Sequence, residues 1–574
     1  MDEILSESFE KLGFNRRQFF EYFAAIGITS AVLPSCKQGE VEEKGEITVE
    51  TIEAAEKIAG IKLTPKEREK IVKRLNRNLE IYRGLREKRI DNSMNSALVF
   101  NPILPGMTFS TEKKPFRHSV VGVKKPSRIE DAAFYSVLQL AKLIKTRQIT
   151  STELTKMYLA RLKKYDPKLK FVTNLTEDLA LKQAKRADEE ISSGKYRGPL
   201  HGIPYGAKDL LAVRGYKTTW GAEPYKDQVI DLDATVVERL EEAGAVLVAK
   251  LTLGALAQGD VWYGGKTRNP WDPEGGSSGS SAGPASATAA GCVAFSIGSE
   301  TNGSIISPCD RCGVTGLRPT FGRISRYGAM ALSWSMDKLG PLCRTVEDCA
   351  VVFHAIYGPD GRDNTLFDYP FNWDSALDIK SLRIGFYEKY FTKELIRNPK
   401  DKKRKKIARE KQKLSNLALD VLRGLGVELF PIDVDIDVAE TGFVLSTESA
   451  AAFDDLTRSD RDDLMKKSSW PDTFLHRRFV PAVEYIQANR YRTQLMEKMN
   501  KIFEDVDVFA EVTHSNTTLT NLTGHPAVIV PIGFVEGKPT SIVFTGKLFG
   551  EAETLAVAKA YQDATDFHLK YPKL

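Results

Sequence analysis

From Ile129 onward, the spacing of hydrophobic and polar residues alternates between a helical period and short continuous apolar runs. One helical face carries four apolar residues: Phe134, Leu138, Ala141 and Leu143. Residues 234–243 also have helical spacing, and Gly244 then leads into residues 245–250, an apolar run typical of a buried strand. This alternation predicts an α/β fold with a large mixed, mostly parallel central sheet that helices cover on both faces.

The region before Ile129 follows a different pattern. Residues 48–59 have helical spacing, and a second helix is predicted from Thr64, because Pro65 suits its first position and Glu67 completes a capping box. Residues 95–128 lack periodicity and are expected to form an extended strap. We therefore divide the chain into a signal (1–36), a tether with a helical extension and strap (37–128), and a catalytic domain (129–574).

The first 36 residues have the features of an export signal. Arg16 and Arg17 precede an apolar run over residues 22–33, which is too short to span a bilayer as a mature helix. Paired arginines before such a run are typical of twin-arginine export. The run is followed by Cys36, in a context that resembles the acylated cysteine of bacterial lipoproteins. We expect a periplasmic protein or a lipoprotein anchored to the membrane through Cys36; the alternative is a cytoplasmic protein with an unprocessed amphipathic helix.

Composition and charge narrow the range of functions. The 574 residues are 42% hydrophobic and 28% charged, as in globular proteins, and the net charge of +6 is small for this length. The basic run over residues 400–413 precedes apolar residues on one helical face, so we interpret it as the solvated start of a helix that Gly424 helps to end. No nucleic-acid partner is expected, since no aromatic residues are interleaved with these charges.

Histidines and cysteines give no support for metal chemistry. No two of the seven histidines have the i, i+4 spacing of a helical zinc site, and Cys309 and Cys312 form a single CxxC without a second ligand pair. We expect no metal and no cofactor. The two cysteines are predicted to be packed thiols or one disulfide.

The most informative stretch is the serine- and glycine-rich segment 275–328. It contains two turns of small residues, separated by a predicted helix over 285–291 and a predicted strand over 293–297. The second turn ends at Ser304, and Gly303 before it permits a backbone conformation closed to other residues. A serine hydroxyl needs a base to become a nucleophile, and a tight turn can aim several amides at one oxyanion.

This segment resembles the signature of the amidase-signature family, which includes fatty-acid amide hydrolase, bacterial amidases and the glutamine-hydrolysing component of the tRNA-dependent glutamine amidotransferase. The resemblance covers about residues 130–570. Further motifs follow in the same order along the chain: residues 200–209, 267–271, 316–322, 337–341, 345–348, 521–526 and 546–552. The likeness implies an α/β fold and an amidase that hydrolyses a carbon–nitrogen bond of a small-molecule or peptide amide to an acid and ammonia or an amine.

The resemblance also implies roles for single residues. Ser304 matches the nucleophile and Lys208 the catalytic lysine, which must be uncharged to accept a proton. The family's spacing between its two serines, counted back from Ser304, reaches Ser280 as the bridging serine on a cis peptide; Ser277, the first serine after the double glycine, remains the alternative. The oxyanion hole is expected from three backbone amides, those of Thr301, Asn302 and Gly303.

Two departures affect the substrate rather than the triad. The family usually has an arginine where this chain has Ile306, and a glycine where it has Asn302. The substrate and the oligomeric state, including a homodimer, stay open. We expect residues 360–400 and 440–500 to line the substrate pocket.

Three other functions compete. The first is the glutamine-hydrolysing component of a tRNA-dependent amidotransferase, against which an export signal would argue. The second is a Ser-His-Asp hydrolase, because Gly279 to Gly283 satisfies the pattern GxSxG and His514 or His525 could serve as the base. The third is a catalytically silent binding protein that keeps the fold.

Overall fold

The computed structural model describes residues 46–88, 90–392, 401–465 and 467–574. These residues form two compact units, which divide between Arg89 and Ile90. The predicted export signal and Cys36 lie outside the described residues, so these predictions stay untested. Of the helices that are described, none combines the length and the apolar character needed to cross a bilayer.

The smaller unit is a pair of helices, α1 (Val49–Ala59) and α2 (Pro65–Glu87). The predicted capping box is present: the Thr64 hydroxyl accepts from the Glu67 amide, while the Glu67 carboxylate accepts from the Thr64 amide. Arg68 of α2 pairs with Glu56 of α1 at 2.6 Å. Local capping and this ion pair therefore account for the helix pair.

The larger unit contains a central sheet of eleven strands and two short two-stranded ribbons. In chain order the strands are β1 (Val172–Leu175), β2 (Pro204–Lys208), β3 (Val246–Leu251), β4 (Val261–Trp262), β5 (Gly265–Lys266), β6 (Arg268–Asn269), β7 (Asp272–Gly276), β8 (Phe295–Glu300), β9 (Thr315–Arg318), β10 (Lys338–Cys343), β11 (Ile384–Tyr387), β12 (Leu429–Ile432), β13 (Val508–Val512), β14 (Ala527–Val535) and β15 (Lys538–Gly546). The order across the central sheet is β1-β3-β2-β8-β10-β9-β14-β15-β13-β11-β12.

Helices connect these strands and pack on the sheet. They are α3 (Val137–Lys145), α4 (Ser151–Leu169), α5 (Glu177–Ser192), α6 (Thr235–Glu242), α7 (Ala282–Ala289), α8 (Ile306–Cys312), α9 (Val346–Ile356), α10 (Glu388–Thr392), α11 (Lys402–Gly424), α12 (Val444–Ala452), α13 (Asp454–Arg458), α14 (Trp470–Arg477), α15 (Ala482–Asp505), α16 (Thr517–Leu522) and α17 (Glu551–Asp563). Alternate residues of β14 belong to different cores: Val528 and Val530 pack with α17, whereas Ala527 and Ile529 pack with α7 and α8. Both faces of the sheet are therefore covered, as predicted.

The large mixed sheet is confirmed, but its pairings are less parallel than expected. Four of the ten are parallel, in the blocks β3-β2-β8 and β13-β11-β12, and six are antiparallel. Short connections explain the difference. The β14–β15 hairpin needs only Glu536 and Gly537, both with positive φ, whereas a parallel pair needs a long crossover.

The sequence located the other elements with small shifts. The helix predicted at 285–291 is α7, three residues earlier at its start, and the strand predicted at 293–297 is β8, which continues to Glu300. The basic run begins α11, which ends at Gly424 as expected. Apart from a single bridge at Arg117, the strap over 95–128 forms no helix or strand, and it belongs to the larger unit.

Candidate functional site

Lys208 ends β2, and its side chain is fully buried. Its amine nitrogen Nζ lies 2.8 Å from both Ser280 Oγ and Ser299 Oγ, and 3.1 Å from Ser281 Oγ. Among the described residues, no carboxylate lies within salt-bridge distance of this amine. Burial lowers the pKa of Lys208 well below its ordinary value, against the opposing charges of Asp337 and Glu300. The arrangement favours an uncharged amine that can accept a proton.

The hydroxyl groups around Lys208 are not equivalent. The Ser281 hydroxyl donates to the Ser299 carbonyl at 3.0 Å and accepts from the Ser299 amide at 3.1 Å. Its own proton is therefore in use, so Ser281 Oγ can only accept from Lys208. Ser280 has no such competing bond among the described residues, so its hydroxyl can donate to the lone pair of a neutral Lys208. Ser281 and Ser299 hold the amine, while Ser280 can exchange a proton with it.

The bridging-serine alternatives lie in different places. The peptide bond between Gly279 and Ser280 is cis. The Ser277 hydroxyl donates to the Ser278 carbonyl at 3.0 Å and makes no hydrogen bond to Lys208. Of these two serines, the structure brings only Ser280 to the lysine.

Small residues allow this close approach of chain segments. A Cβ atom on Gly279 would lie 1.8 Å from the Gly259 carbonyl oxygen, and one on Gly283 would lie 2.4 Å from the Thr252 nitrogen. Every residue of α7 is buried, and the helix packs beside β2, β3 and β8. The small-residue composition thus serves packing, which sets the position of the turn that carries Ser280.

Ser304 follows the end of β8 and directly precedes α8, and it is half-buried. The Ser281 amide donates to the Ser304 carbonyl at 3.1 Å, which joins the two turns through their main chains. No hydrogen bond joins the Ser304 hydroxyl to another described residue. The structure therefore brings Lys208 and Ser280 into contact and Ser304 next to them, but the hydroxyls of Ser280 and Ser304 are not hydrogen-bonded. Such catalytic links are often loose in the free enzyme and close when substrate binds.

The three backbone amides expected to bind an oxyanion are available. None of the N–H groups of Thr301, Asn302 and Gly303 donates to an acceptor among the described residues. Gly303 has φ +91°, a conformation that other residues rarely adopt. Unsatisfied amides in one turn form a cavity for an anion.

Glu300 fixes the other side of this turn, and sequence reasoning missed it. One carboxylate oxygen accepts from the amides of Ile305 and Ile306 at 2.8 and 3.0 Å, and the other accepts from Arg318 at 2.9 Å and Asn521 at 2.8 Å. Burial alone would raise the pKa of Glu300, but Arg318 and these donors lower it to about 2. The signal was an acid at the end of an apolar strand, where only a paired charge is stable.

A cavity of about 370 Å³ adjoins the turn, and Ser299 and Thr301 form part of its wall. The Thr301 hydroxyl donates at 2.6 Å to Asp337, a buried carboxylate whose pKa burial raises. Most other lining residues come from 326–339 and from the strap at 92–95, with Arg362 and Asn364. The expectation for 360–400 is met only by these last two residues, and none of 440–500 lines the cavity.

The comparisons with known proteins agree with this geometry. A family model described as Amidase matches residues 153–514, more than half of the chain. The A-type subunit of the Glutamyl-tRNA(Gln) amidotransferase from Roseiflexus sp. (strain RS-1) is 34% identical over 478 residues, which span 74% of this chain and 96% of that protein. Its counterpart from Methylococcus capsulatus is 34% identical over 480 residues, spanning 76% and 98%.

The chain belongs to the amidase family. Among solved structures, native peptide amidase from Stenotrophomonas maltophilia is 27% identical with a TM-score of 0.66, over 76% of this chain and 97% of that one. An amidase family protein from Bacillus anthracis is 26% identical with a TM-score of 0.69, over 78% and 94%. As a member of the amidase family, the protein is an enzyme of amide carbon–nitrogen bonds, which sets aside the silent binding protein.

The departures from the amidase pattern have a structural counterpart. Where the family usually has an arginine, Ile306 is buried, and the positive charge beside Glu300 comes instead from Arg318 on β9. Asn302 is exposed, and its side-chain amide lies 3.3 Å from the Thr518 hydroxyl. The turn therefore keeps a paired carboxylate despite both substitutions.

Other residues singled out from the sequence do not join the site. His525 contacts the Thr523 hydroxyl at 2.8 Å and stacks on Phe503, and His514 lines a separate cavity. Neither histidine contacts Ser280 or Ser281, so the Ser-His-Asp arrangement is absent from the described residues. Cys309 and Cys312 are buried free thiols, as one of the two expectations held. The described residues contain no cluster of three or more candidate metal ligands.

Proposed function

We propose that the protein hydrolyses an amide to a carboxylic acid and ammonia or an amine through an acyl-enzyme on Ser304. The observation that carries this proposal is the Lys208 amine: it is fully buried, is surrounded by hydroxyls rather than carboxylates, and lies 2.8 Å from Ser280 Oγ. A lysine with these surroundings loses the solvation that stabilises its charged form. It can therefore act as a base near neutral pH.

The proton moves along the two serines in the proposed reaction. Lys208 takes the Ser280 proton as Ser280 takes the proton of Ser304, and Ser304 Oγ attacks the amide carbonyl carbon. The amides of Thr301, Asn302 and Gly303 donate to the oxyanion. The relay then returns the proton to the leaving nitrogen, and the carbon–nitrogen bond breaks. Water, activated by the same relay, releases the acid and restores Ser304.

A fluorophosphonate probe together with an amide screen tests this proposal. We expect the probe to label Ser304 in the wild type, and we expect hydrolysis of at least one primary or secondary amide. Ser304→Ala should abolish labelling, whereas Ser277→Ala should leave both readouts near wild type. Labelling of Ser277 or Ser280 in place of Ser304 would refute the assigned nucleophile.

A second candidate is the glutamine-hydrolysing component of a tRNA-dependent amidotransferase. The two named relatives at 34% identity, each matched over at least 96% of its length, favour it. Affinity purification of the full chain from its source cells separates the two functions. Recovery of a stoichiometric partner protein together with glutaminase activity supports the second candidate. A free protein in the exported fraction, active on other amides, supports the first and the predicted export signal.

A further inference from the structure

A second cavity, of about 190 Å³, lies behind the nucleophile turn and shares no lining residue with the cavity beside Thr301. Its wall combines α8, the start of α11, the end of β13 and the strand β15. The polar lining residues that bear on its chemistry are Asp310, Lys411, His514 and Ser541. None of them belongs to the proposed catalytic relay.

Asp310 is the unusual member of this wall. It is about nine-tenths buried, and its carboxylate has no hydrogen-bond or salt-bridge partner among the described residues. A buried carboxylate without donors is costly, and most are paired with a cation or with several N–H groups. The contrast with Glu300, which has four donors, shows how incomplete the surroundings of Asp310 are.

A second unpartnered group faces the same space. The Ser541 side chain is 3% exposed, and its hydroxyl oxygen is buried without a hydrogen bond. Asp310 on α8 and Ser541 on β15 therefore offer an anionic acceptor and a neutral acceptor from two packed elements. Together they suit a compact cation with several N–H donors.

The basic residues nearby do not complete the site. Burial lowers the pKa of His514, with Asp310 opposing, so the imidazole brings little positive charge at neutral pH. Lys411 is exposed, and its amine lies beyond salt-bridge distance of Asp310. The charge of Asp310 is thus left for a ligand that enters the cavity.

We propose that this cavity binds a small ligand with a primary ammonium group, which donates to Asp310 and Ser541. Ammonium and simple amines are products of amide hydrolysis, and amino acids carry the same group. Only the interpretation of the ligand as a product rests on the proposed function. The cavity wall includes α8, which begins two residues after Ser304, so an occupied site would bear on the helix behind the nucleophile.

Calorimetric titration of the full chain with methylammonium chloride, at neutral pH and constant ionic strength, tests the inference. We expect saturable binding, and affinity weaker by about tenfold or more in Asp310→Asn, which keeps the shape but removes the charge. Ser541→Ala should weaken binding by a smaller factor. Tetramethylammonium has the charge but no N–H donors and should not bind.

Asp420→Asn is the matched control, because this carboxylate is 62% exposed on α11. It should bind methylammonium as the wild type does, and so should Ser304→Ala. Tighter binding of glycine would identify an amino acid as the ligand, and equal or weaker binding would identify a free amine. No binding to the wild type, as expected if Lys411 swings onto Asp310, overturns the inference, as does equal binding to Asp310→Asn. Amide hydrolysis that persists in either case leaves the proposed function intact.

Discussion

Two fully buried lysines on neighbouring parallel strands have opposite surroundings. Lys250 on β3 forms an ion pair with Asp209 at 2.8 Å and donates to the Thr218 hydroxyl at 2.6 Å. Lys208 on β2 has only hydroxyl and carbonyl oxygens around its amine. Burial lowers the pKa of both, but for Lys250 the charge of Asp209 opposes the effect directly. The comparison teaches that the partner of a buried lysine, rather than its burial, decides whether it can serve as a base.

The strand register explains how two lysines so close in space are kept apart. Lys250 is paired with Ala207, and Lys208 is paired with Leu251. Paired residues on adjacent strands point to the same face, and successive residues alternate, so the two lysines point to opposite faces. Asp209, next to Lys208 in sequence, therefore pairs with Lys250 rather than with its neighbour.

The largest expected effect is the loss of activity in Lys208→Ala. Removing the base should lower kcat/KM on any hydrolysed amide by about a thousandfold or more. Folding should be retained, because no charged partner is left unpaired. Steady-state kinetics and circular dichroism measure the two effects; a variant with near wild-type kcat/KM would show that Lys208 is not the base.

Lys250→Met should have the reverse profile. It strands the buried Asp209, and breaking a buried pair in this way costs about 3–5 kcal/mol of unfolding free energy. The activity of the folded fraction should stay within a few-fold of the wild type. Urea unfolding measures the loss, and the double variant Asp209→Leu with Lys250→Met should recover much of it. No recovery would contradict the ion pair as the cause.

Glu300→Gln extends the comparison to a buried acid. The pKa of Glu300 is about 2 when folded and near 4.5 when unfolded, so the unfolded state binds more protons between these values. Its contribution, about 3 kcal/mol, is thus present above pH 4.5 and is lost as the pH falls toward 2. Acid unfolding curves should show this loss in the wild type but not in Glu300→Gln.

Glu511→Gln is the matched control for that experiment. Glu511 is also buried, but it accepts from the Ser515 and Thr545 hydroxyls instead of an arginine, and burial raises its pKa. Its removal should leave the acid-induced loss of stability in place. Equal acid curves for Glu300→Gln and Glu511→Gln would argue against the role of Arg318.

The smallest expected effect concerns the cavity beyond Lys208. The Asn92 side chain makes two hydrogen bonds to the main chain of Ala331, at 3.0 and 2.8 Å, and so anchors the strap that lines this cavity. Asn92→Ala should raise KM by a few-fold with little change in kcat, because Asn92 touches no reacting group. Asn101→Ala, in an exposed part of the strap, is the control. An effect confined to kcat would contradict the anchoring role.

Local signals were the ones that the sequence could supply. The capping boxes at Thr64 and Thr150 lie within four residues of chain, and both are present. The alternation of helix and strand periods gave the α/β class. The antiparallel share was missed, although Glu536 and Gly537 form a two-residue hairpin signal that could have indicated part of it.

Contacts between distant segments had no such signal. Asn521 lies 221 residues from the Glu300 carboxylate that it contacts, and Asn92 lies 239 residues from Ala331. The motif resemblance named Lys208, Ser280 and Ser304, but it could not show that Ser281 and Ser299 hold the lysine. Those roles depend on side-chain geometry, which only the folded chain defines.

The ionisation of Lys208 is the central claim, and the pH dependence of Ser304 acylation by a fluorophosphonate tests it most directly. We expect the labelling rate of the wild type to rise with an ionisation far below 10.5, the ordinary lysine pKa, and then to reach a plateau. This ionisation should vanish in Lys208→Ala and persist in Lys250→Met. A rate that is still rising near pH 10.5, or the same ionisation in Lys208→Ala, would contradict an uncharged Lys208 as the base.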